Sequence, residues 1–216
     1  MGKNYYILMA DVKDSRLKKG SKLINSLLSI VKEKNKTYKS LFLSPLTVTL
    51  GDEFQSVLKS FADAIKIIIA IEEELIKENL DFKLRYILHY GVIDTPINSE
   101  IAYNMYGQGL ISAREMLEKN KKIKDKRIYI SCKNLKSSNI IELAFQNFTS
   151  YIDKWNKKDY KLIYSLIHQG DKTEKEIADD LNYDPAGISR RKRTLKIIEY
   201  KNLKNIIYFL ANNHGI

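Results

Sequence analysis

The stretch Leu46 to Leu58, LTVTLGDEFQSVL, alternates apolar and polar residues on either side of Gly51 and Asp52. Period-two alternation broken by Gly and Asp is the pattern of two antiparallel strands joined by a turn. Gly at the first central position suits the positive φ of a type II′ hairpin. The surrounding segments switch between two periods. NYYILMADV is an apolar run of strand length that stops at Asp11. From about Leu17 to Lys39 the residues Leu23, Leu27, Leu28, Ile30 and Val31 recur at helical spacing among lysines. Pro45 marks the break before the hairpin. Ser60 and Asp63 read as a helix start, and Ala64, Ile65, Ile68, Ile71, Leu75 and Ile76 trace one face through to Asn79. Glu72, Glu73 and Glu74 in this helix read as a solvated face. FKLRYILHYGVID follows as a strand, with His89 a packed structural residue. GLISAREMLEKNKK is a helix from near Gly109, and KRIYISC is a strand. This order predicts an α+β fold, one sheet covered by helices.

Beyond about residue 150 the pattern is wholly helical. KKDYKLIYSLIHQG is an amphipathic helix closed by Gly170, TEKEIADDL a short helix, NYDP a turn and AGISRRKRTLKII a further helix. That is helix-turn-helix grammar. It predicts a first domain over 1–150 and a small all-α (winged) helix-turn-helix domain over 151–216. Ile177, Ala178 and Leu181 face inward on the support helix, and Ile188 and Leu195 anchor the second. Ser189, Arg190, Arg191, Lys192 and Arg193 then form a strip able to meet the phosphates and base edges of double-stranded DNA. YKNLKNIIYFLANN reads as a wing or a dimerising helix, and a homodimer is expected because two-fold dimers suit paired half-sites.

With 44% hydrophobic and 29% charged residues, nine Gly and three Pro, the composition is that of a compact chain and not a disordered or collagen-like one. The formal net charge is +11. Residues 151–216 hold 13 Lys/Arg against 9 Asp/Glu, leaving 24 against 17 for residues 1–150. An anionic partner, nucleic acid or nucleotide, fits that balance, as does a base bias favouring lysine codons. The single Cys132 allows no internal disulfide, and no Cys/His group has zinc spacing, so a cytoplasmic location is expected. The opening apolar run is too short for a signal peptide or a membrane span.

If the first strand pairs beside the hairpin, Asp11 and Asp52 converge at one edge of the sheet, with Glu53 adjacent. Carboxylates so placed repel unless a cation neutralises them. Mg²⁺ (or Mn²⁺), held by one or two carboxylates together with substrate phosphates, meets that need, and Asp11 and Asp52 are the expected metal ligands.

TLGDEFQSVL resembles the signature hairpin of GGDEF-type diguanylate cyclases, with Leu50 in place of the first glycine. ADVKDS resembles the metal-binding first strand of that domain and of class III nucleotide cyclases. LRYILHYGV and YGQGLISAREMLE resemble the strand and the Arg-bearing helix of class III cyclases. The resemblance implies a ferredoxin-like, cyclase-like palm. Arg114 would stabilise charge on a transferring phosphate and Glu53 would be a further acid of the catalytic site. Backbone amides of Val12, Lys13, Asp14 and Ser15 would face a triphosphate at a helix N-terminus. Leu110 stands where the cyclases carry asparagine, and Ile87 where they carry glycine. Palm plus helix-turn-helix together resemble the SatD family. That resemblance implies little about activity; the palm joined to the helix-turn-helix gives the expectation of a regulator that binds DNA and responds to a nucleoside triphosphate or cyclic nucleotide. The alternative is an active nucleotidyl cyclase or oligonucleotide synthase.

Overall fold

The computed structural model of the protein describes residues 2–15, 20–123, 125–132 and 135–213. Five strands form one sheet in the order β2-β3-β1-β4-β5. They are β1 (Lys3–Val12), β2 (Phe42–Val48), β3 (Glu53–Leu58), β4 (Leu84–Ile93) and β5 (Ile128–Ser131). β1 runs antiparallel to both β3 and β4, β2 is antiparallel to β3, and β5 is parallel to β4. The first four strands, with helices α1 (Gly20–Thr37) and α2 (Phe61–Lys77), make the βαββαβ order of a ferredoxin-like unit. The helix α3 (Gln108–Asn120) then crosses over to the parallel β5. This is the α+β sheet that the alternating periods predict. The α1 helix expected from Leu17 begins at Gly20, and residues 16–19 lie outside the described residues.

Strand alternation sorts the core into two layers. Leu8, Ala10, Val12, Phe54, Leu58, Leu84, Tyr86 and Leu88 pack with α1, α2 and the later helices. Ile7, Met9, Val57, Ile87 and Ile93 meet Ala113 and Leu117 of α3. Pro45 does not precede the hairpin but lies within β2, which starts at Phe42. Proline is tolerated there because β2 is an edge strand whose register shifts between Phe42 and Ser44 and again between Ser44 and Thr47.

The C-terminal part comprises α4 (Leu135–Lys154), α5 (Tyr160–Ile167), α6 (Glu174–Leu181), α7 (Pro185–Thr194) and α8 (Ile197–Asn212). Residue 150, the expected boundary, falls inside α4, and a single core cluster runs from the sheet through α4 to α8. Tyr200 of α8 stacks on Phe148 with ring centroids 4.7 Å apart, and Trp155 Nε1 donates to the Leu195 carbonyl at 2.8 Å. The second helix of the motif is shorter than expected. It ends at Thr194, and Lys196 in the left-handed region (φ 56°) turns the chain into α8. No strand follows β5 among the described residues, so the segment expected to be a wing or a helix is helical.

Glu72, Glu73 and Glu74 are not a solvated face, because all three are buried. Glu72 accepts from Arg127 and Tyr86. Glu73 accepts from Tyr200 and Lys204 of α8 at 2.9 and 2.6 Å, and Glu74 from the buried Lys34 of α1 at 2.6 Å. Three consecutive helical residues sweep about 200° of the helix surface. Here sheet, α8 and α1 each cover one sector.

Candidate functional site

The hairpin turn spans Thr49 to Asp52, with Gly51 at φ 82° and Thr49 N–H donating to the Glu53 carbonyl. It is two residues longer than the expected type II′ turn. The extra residues, Thr49 and Leu50, come off the end of β2, and Glu53 is the first residue of β3. Its cross-strand partner is Asp11, whose partner on the other side is Arg85. Asp11, Glu53 and Arg85 thus lie in one row across the α3 face of the sheet. Asp52 sits one position away in the turn, its carbonyl accepting from Val12 N–H, and its charge adds to the field at Asp11.

Arg85 Nη1 donates to both carboxylate oxygens of Asp11, at 3.0 and 2.9 Å. Arg114, one helical face of α3 away, pairs with Glu53. Lys121, just past the end of α3, places Nζ 3.9 Å from Asp11, 3.7 Å from Glu53 and 2.6 Å from Glu118. The row is a layered ionic cluster, two buried carboxylates held by three cations. Burial pushes the Asp11 carboxyl up to about 6, against the pull of Arg85 and Lys121, with Glu53 and Asp52 adding to the rise.

That shift has a sign. Unfolded aspartates titrate near ~3.9, so between there and about 6 the native state holds the extra proton. The contribution of Asp11 to stability is complete below the unfolded value and is lost as pH rises through the folded one. Glu73 and Glu74 act oppositely. Burial raises both, but hydrogen bonds from His168 and Lys204 to Glu73, and from Lys34 and Lys77 to Glu74, outweigh it and lower them. Their stabilisation is present above the ordinary glutamate range and lost as pH falls below it. Carboxyl ¹³C NMR should give Asp11 a midpoint near 6. Asp11→Asn should remove the loss of stability between about pH 4 and 6, and an unchanged profile would count against this assignment.

Beside the ionic row lies a pocket of about 510 Å³. Its floor is the next cross-strand pair on the same face, Met9 and Gln55. Tyr103 to Gly107 form one wall, and Leu110, Ile111, Arg114 and Glu115 of α3 the other. The loop is fixed to the hairpin through Ala102, whose N–H donates to Thr47 Oγ1 at 2.8 Å and whose carbonyl accepts from the Gln55 amide. Close approach of glycines lets α3 lie on β4. A Cβ on Gly109 would stand 2.6 Å from the Gly91 carbonyl carbon, and one on Gly107 2.5 Å from the Val92 carbonyl oxygen.

The expected residues are only partly gathered. Asp11, Glu53 and Arg114 converge. Of the amides expected to face a triphosphate, Val12 N–H is spent on Asp52 and Lys13 N–H on the Lys83 carbonyl. Asp14 is exposed in the left-handed region, beside Ser15. Of the DNA-facing strip, Ser189, Arg190 and Arg193 are exposed, whereas Arg191 pairs with the buried Asp159 and Lys192 with Glu174 at 2.7 Å. Burial lowers the His89 pKa, and its Nδ1 is enclosed without a partner, so the residue is packed into the fold. Sequence reasoning missed Arg85 and Lys121. The signal for Arg85 was a lone cation inside the apolar strand LRYILHYGV; Lys121 was hidden in a lysine run.

A Mg²⁺ ion wants open, hard carboxylate oxygens. Asp11 and Glu53 are buried and already engaged by Arg85, Arg114 and Lys121, and no group of three or more His, Cys, Asp or Glu able to hold a metal occurs among the described residues. As arranged, Asp11 and Glu53 do not fit a divalent ion, and of the expected ligands only Asp52, half-buried in the turn, stands outside these ion pairs. No helix among the described residues is long and apolar enough to cross a membrane.

Residues 5–208 match the SatD family model. No curated protein matches the chain. Solved structures similar to it include a bacterial light-regulated adenylyl cyclase, 14% identical, covering 59% of this chain and 74% of that one, TM-score 0.42. Others are the adenylyl cyclase CyaB from P. aeruginosa (12% identity, 55% and 73% covered, TM-score 0.40) and a guanylyl cyclase (12%, 60% and 77%, 0.38).

Proposed function

The chain belongs to the SatD family, and from that premise we propose that it is a nucleotide-responsive regulator. Its sheet domain binds a nucleotide and its C-terminal helices contact DNA. The observation that carries the reading is continuity: a pocket of about 510 Å³ opens directly onto Arg114 of the ionic row. That volume lies within the usual range for small-molecule sites. An apolar floor and wall of Met9, Leu110 and Ile111 suit a base, the amide of Gln55 and carboxylate of Glu115 suit its polar edge, and Arg114 suits a phosphate. The division into 1–150 and 151–216 belongs to the same proposal.

For DNA the support is α6 and α7. A capping box at Thr173 and Glu176 starts α6, Asn182 in the left-handed region ends it, and Asp184 and Pro185 start α7. Ile177, Ala178 and Ile188 are buried between them, which leaves Ser189, Arg190 and Arg193 outward.

A thermal-shift panel of nucleotides tests the first half. A ligand at 100 times its Kd adds ~2.7 kcal/mol, a rise in Tm of about 5–10 °C for a chain of this size. Turnover with release of pyrophosphate from ATP or GTP would instead make the protein an enzyme. For the second half, duplex DNA should be retained in a mobility-shift assay and released steeply with added salt. Affinity unaffected by Arg190→Ala with Arg193→Ala would remove α7 from the interface.

A further inference from the structure

Resting on the nucleotide-binding reading, we infer that the pocket takes a nucleotide bearing a single phosphate ester group, cyclic or linear, and takes it without a divalent cation. The order of charges from the sheet outward is the reason. The Asp11 and Glu53 side chains are 5% and 7% exposed, whereas those of Arg114 and Lys121 are 36% and 39% exposed. The carboxylates lie behind and the cations in front. A ligand entering over Met9 and Leu110 meets Arg114 first, with Lys121 beyond it on the same acids.

Those donors are held in place by the acids behind them. Glu53 pairs with Arg114, Glu53 and Asp11 both lie within 4 Å of Lys121 Nζ, and Arg85 anchors Asp11. Arginine carries five N–H donors and lysine three, so both can keep a carboxylate and still reach a phosphate oxygen. A metal, by contrast, would have to take the carboxylates from these cations in a buried layer, leaving desolvated charges unpaired.

Counting charge then limits the ligand. Arg85, Arg114 and Lys121 are matched by Asp11, Glu53 and Glu118 in direct ion pairs, and Asp52 adds a negative field that reaches Asp11. Within this row of described residues, and with Glu115 also lining the pocket, positive charge is not in surplus over negative, which sets the row against the several charges of a free triphosphate. One phosphate ester, with one or two charges, can share Arg114 and Lys121 with the acids.

Isothermal titration of the full chain tests this with 3′,5′-cyclic AMP, cyclic GMP, AMP, GMP, ATP and GTP as probes, each in EDTA and again in Mg²⁺. A cyclic or linear monophosphate should bind in EDTA, unchanged by Mg²⁺, and at least about tenfold tighter than the triphosphate of the same base in EDTA. The cyclic and linear arms tell the two sources of the phosphate apart. Lys121→Gln, which removes one charge-assisted donor, should weaken that binding by about tenfold or more. Lys121→Arg should restore it. Binding of triphosphates only, and only with Mg²⁺, overturns the inference while leaving the nucleotide reading intact. A triphosphate that binds tighter than the monophosphates in EDTA overturns it too. No heat with any probe in either buffer overturns both.

Discussion

Arg127→Met should cost about 3–5 kcal/mol of stability, the penalty for breaking a buried ion pair from one side. Arg127 precedes β5 and is only 2% exposed. Its guanidinium donates to both oxygens of Glu72 at 3.0 and 2.8 Å, to the Leu84 carbonyl at 2.9 Å, and to both oxygens of Asp153 at 3.2 and 3.0 Å. Burial works against its charge, but Glu72 and Asp153 outweigh that and hold its pKa above the ordinary arginine value. One side chain thus ties α2, β4 and the end of α4 together. Its loss strands Glu72, 2% exposed, with only Tyr86 to satisfy it. Thermal unfolding should show a fall in Tm of about 6–20 °C for a chain of this size. Removing Arg127 and Glu72 together, Arg127→Met with Glu72→Met, should recover part of the loss, because apolar groups replace the fully buried pair while Asp153 keeps Lys83. A single variant within about 1 kcal/mol of the parent would mean that water reaches this cluster.

Gly109→Ala should separate α3 from the sheet. The added methyl would meet only backbone: the Gly91 carbonyl carbon at 2.6 Å, Val92 N at 2.8 Å and Gly91 Cα at 2.9 Å. Backbone in a central strand cannot step aside as a flexible side chain does, so α3 must lift. Overpacking of this kind costs typically ~1–3 kcal/mol. The larger effect is on the pocket, whose wall of Leu110, Ile111 and Arg114 moves with the helix. Nucleotide affinity should fall by at least about tenfold. Gly20→Ala is the control, since nothing among the described residues lies within 4 Å of its added Cβ. Equal affinity in the two variants would dissociate the pocket from the seating of α3.

The strands and long helices were legible because each carries its own period: Leu8 and Ala10 on one side of β1, Ile7 and Met9 on the other. The site was half legible. Asp11 could be placed at a strand end from NYYILMADV alone. Whether it faces Asp52 or Glu53 depends on the register between β1 and β3, which no local pattern states and which sets Glu53 opposite. Arg85 lies 74 residues from Asp11 in sequence, and only the antiparallel register of β1 and β4 brings them opposite. The glutamates of α2 were misread for a related reason. A run of three acids looks solvated until Arg127, Tyr200 and Lys34, from 40 to 127 residues away, meet its three members.

The two margins of the sheet bear on how copies of this chain can meet. β2 is interrupted by Pro45 and by two breaks in its pairing, and β5 is four residues long with α4 packed against it. Neither margin presents a regular ladder of unbonded amides, so strand addition, the usual route to fibrils and sheet-extended oligomers, finds no template here. That leaves helices and loops as the surfaces through which copies of this chain can meet.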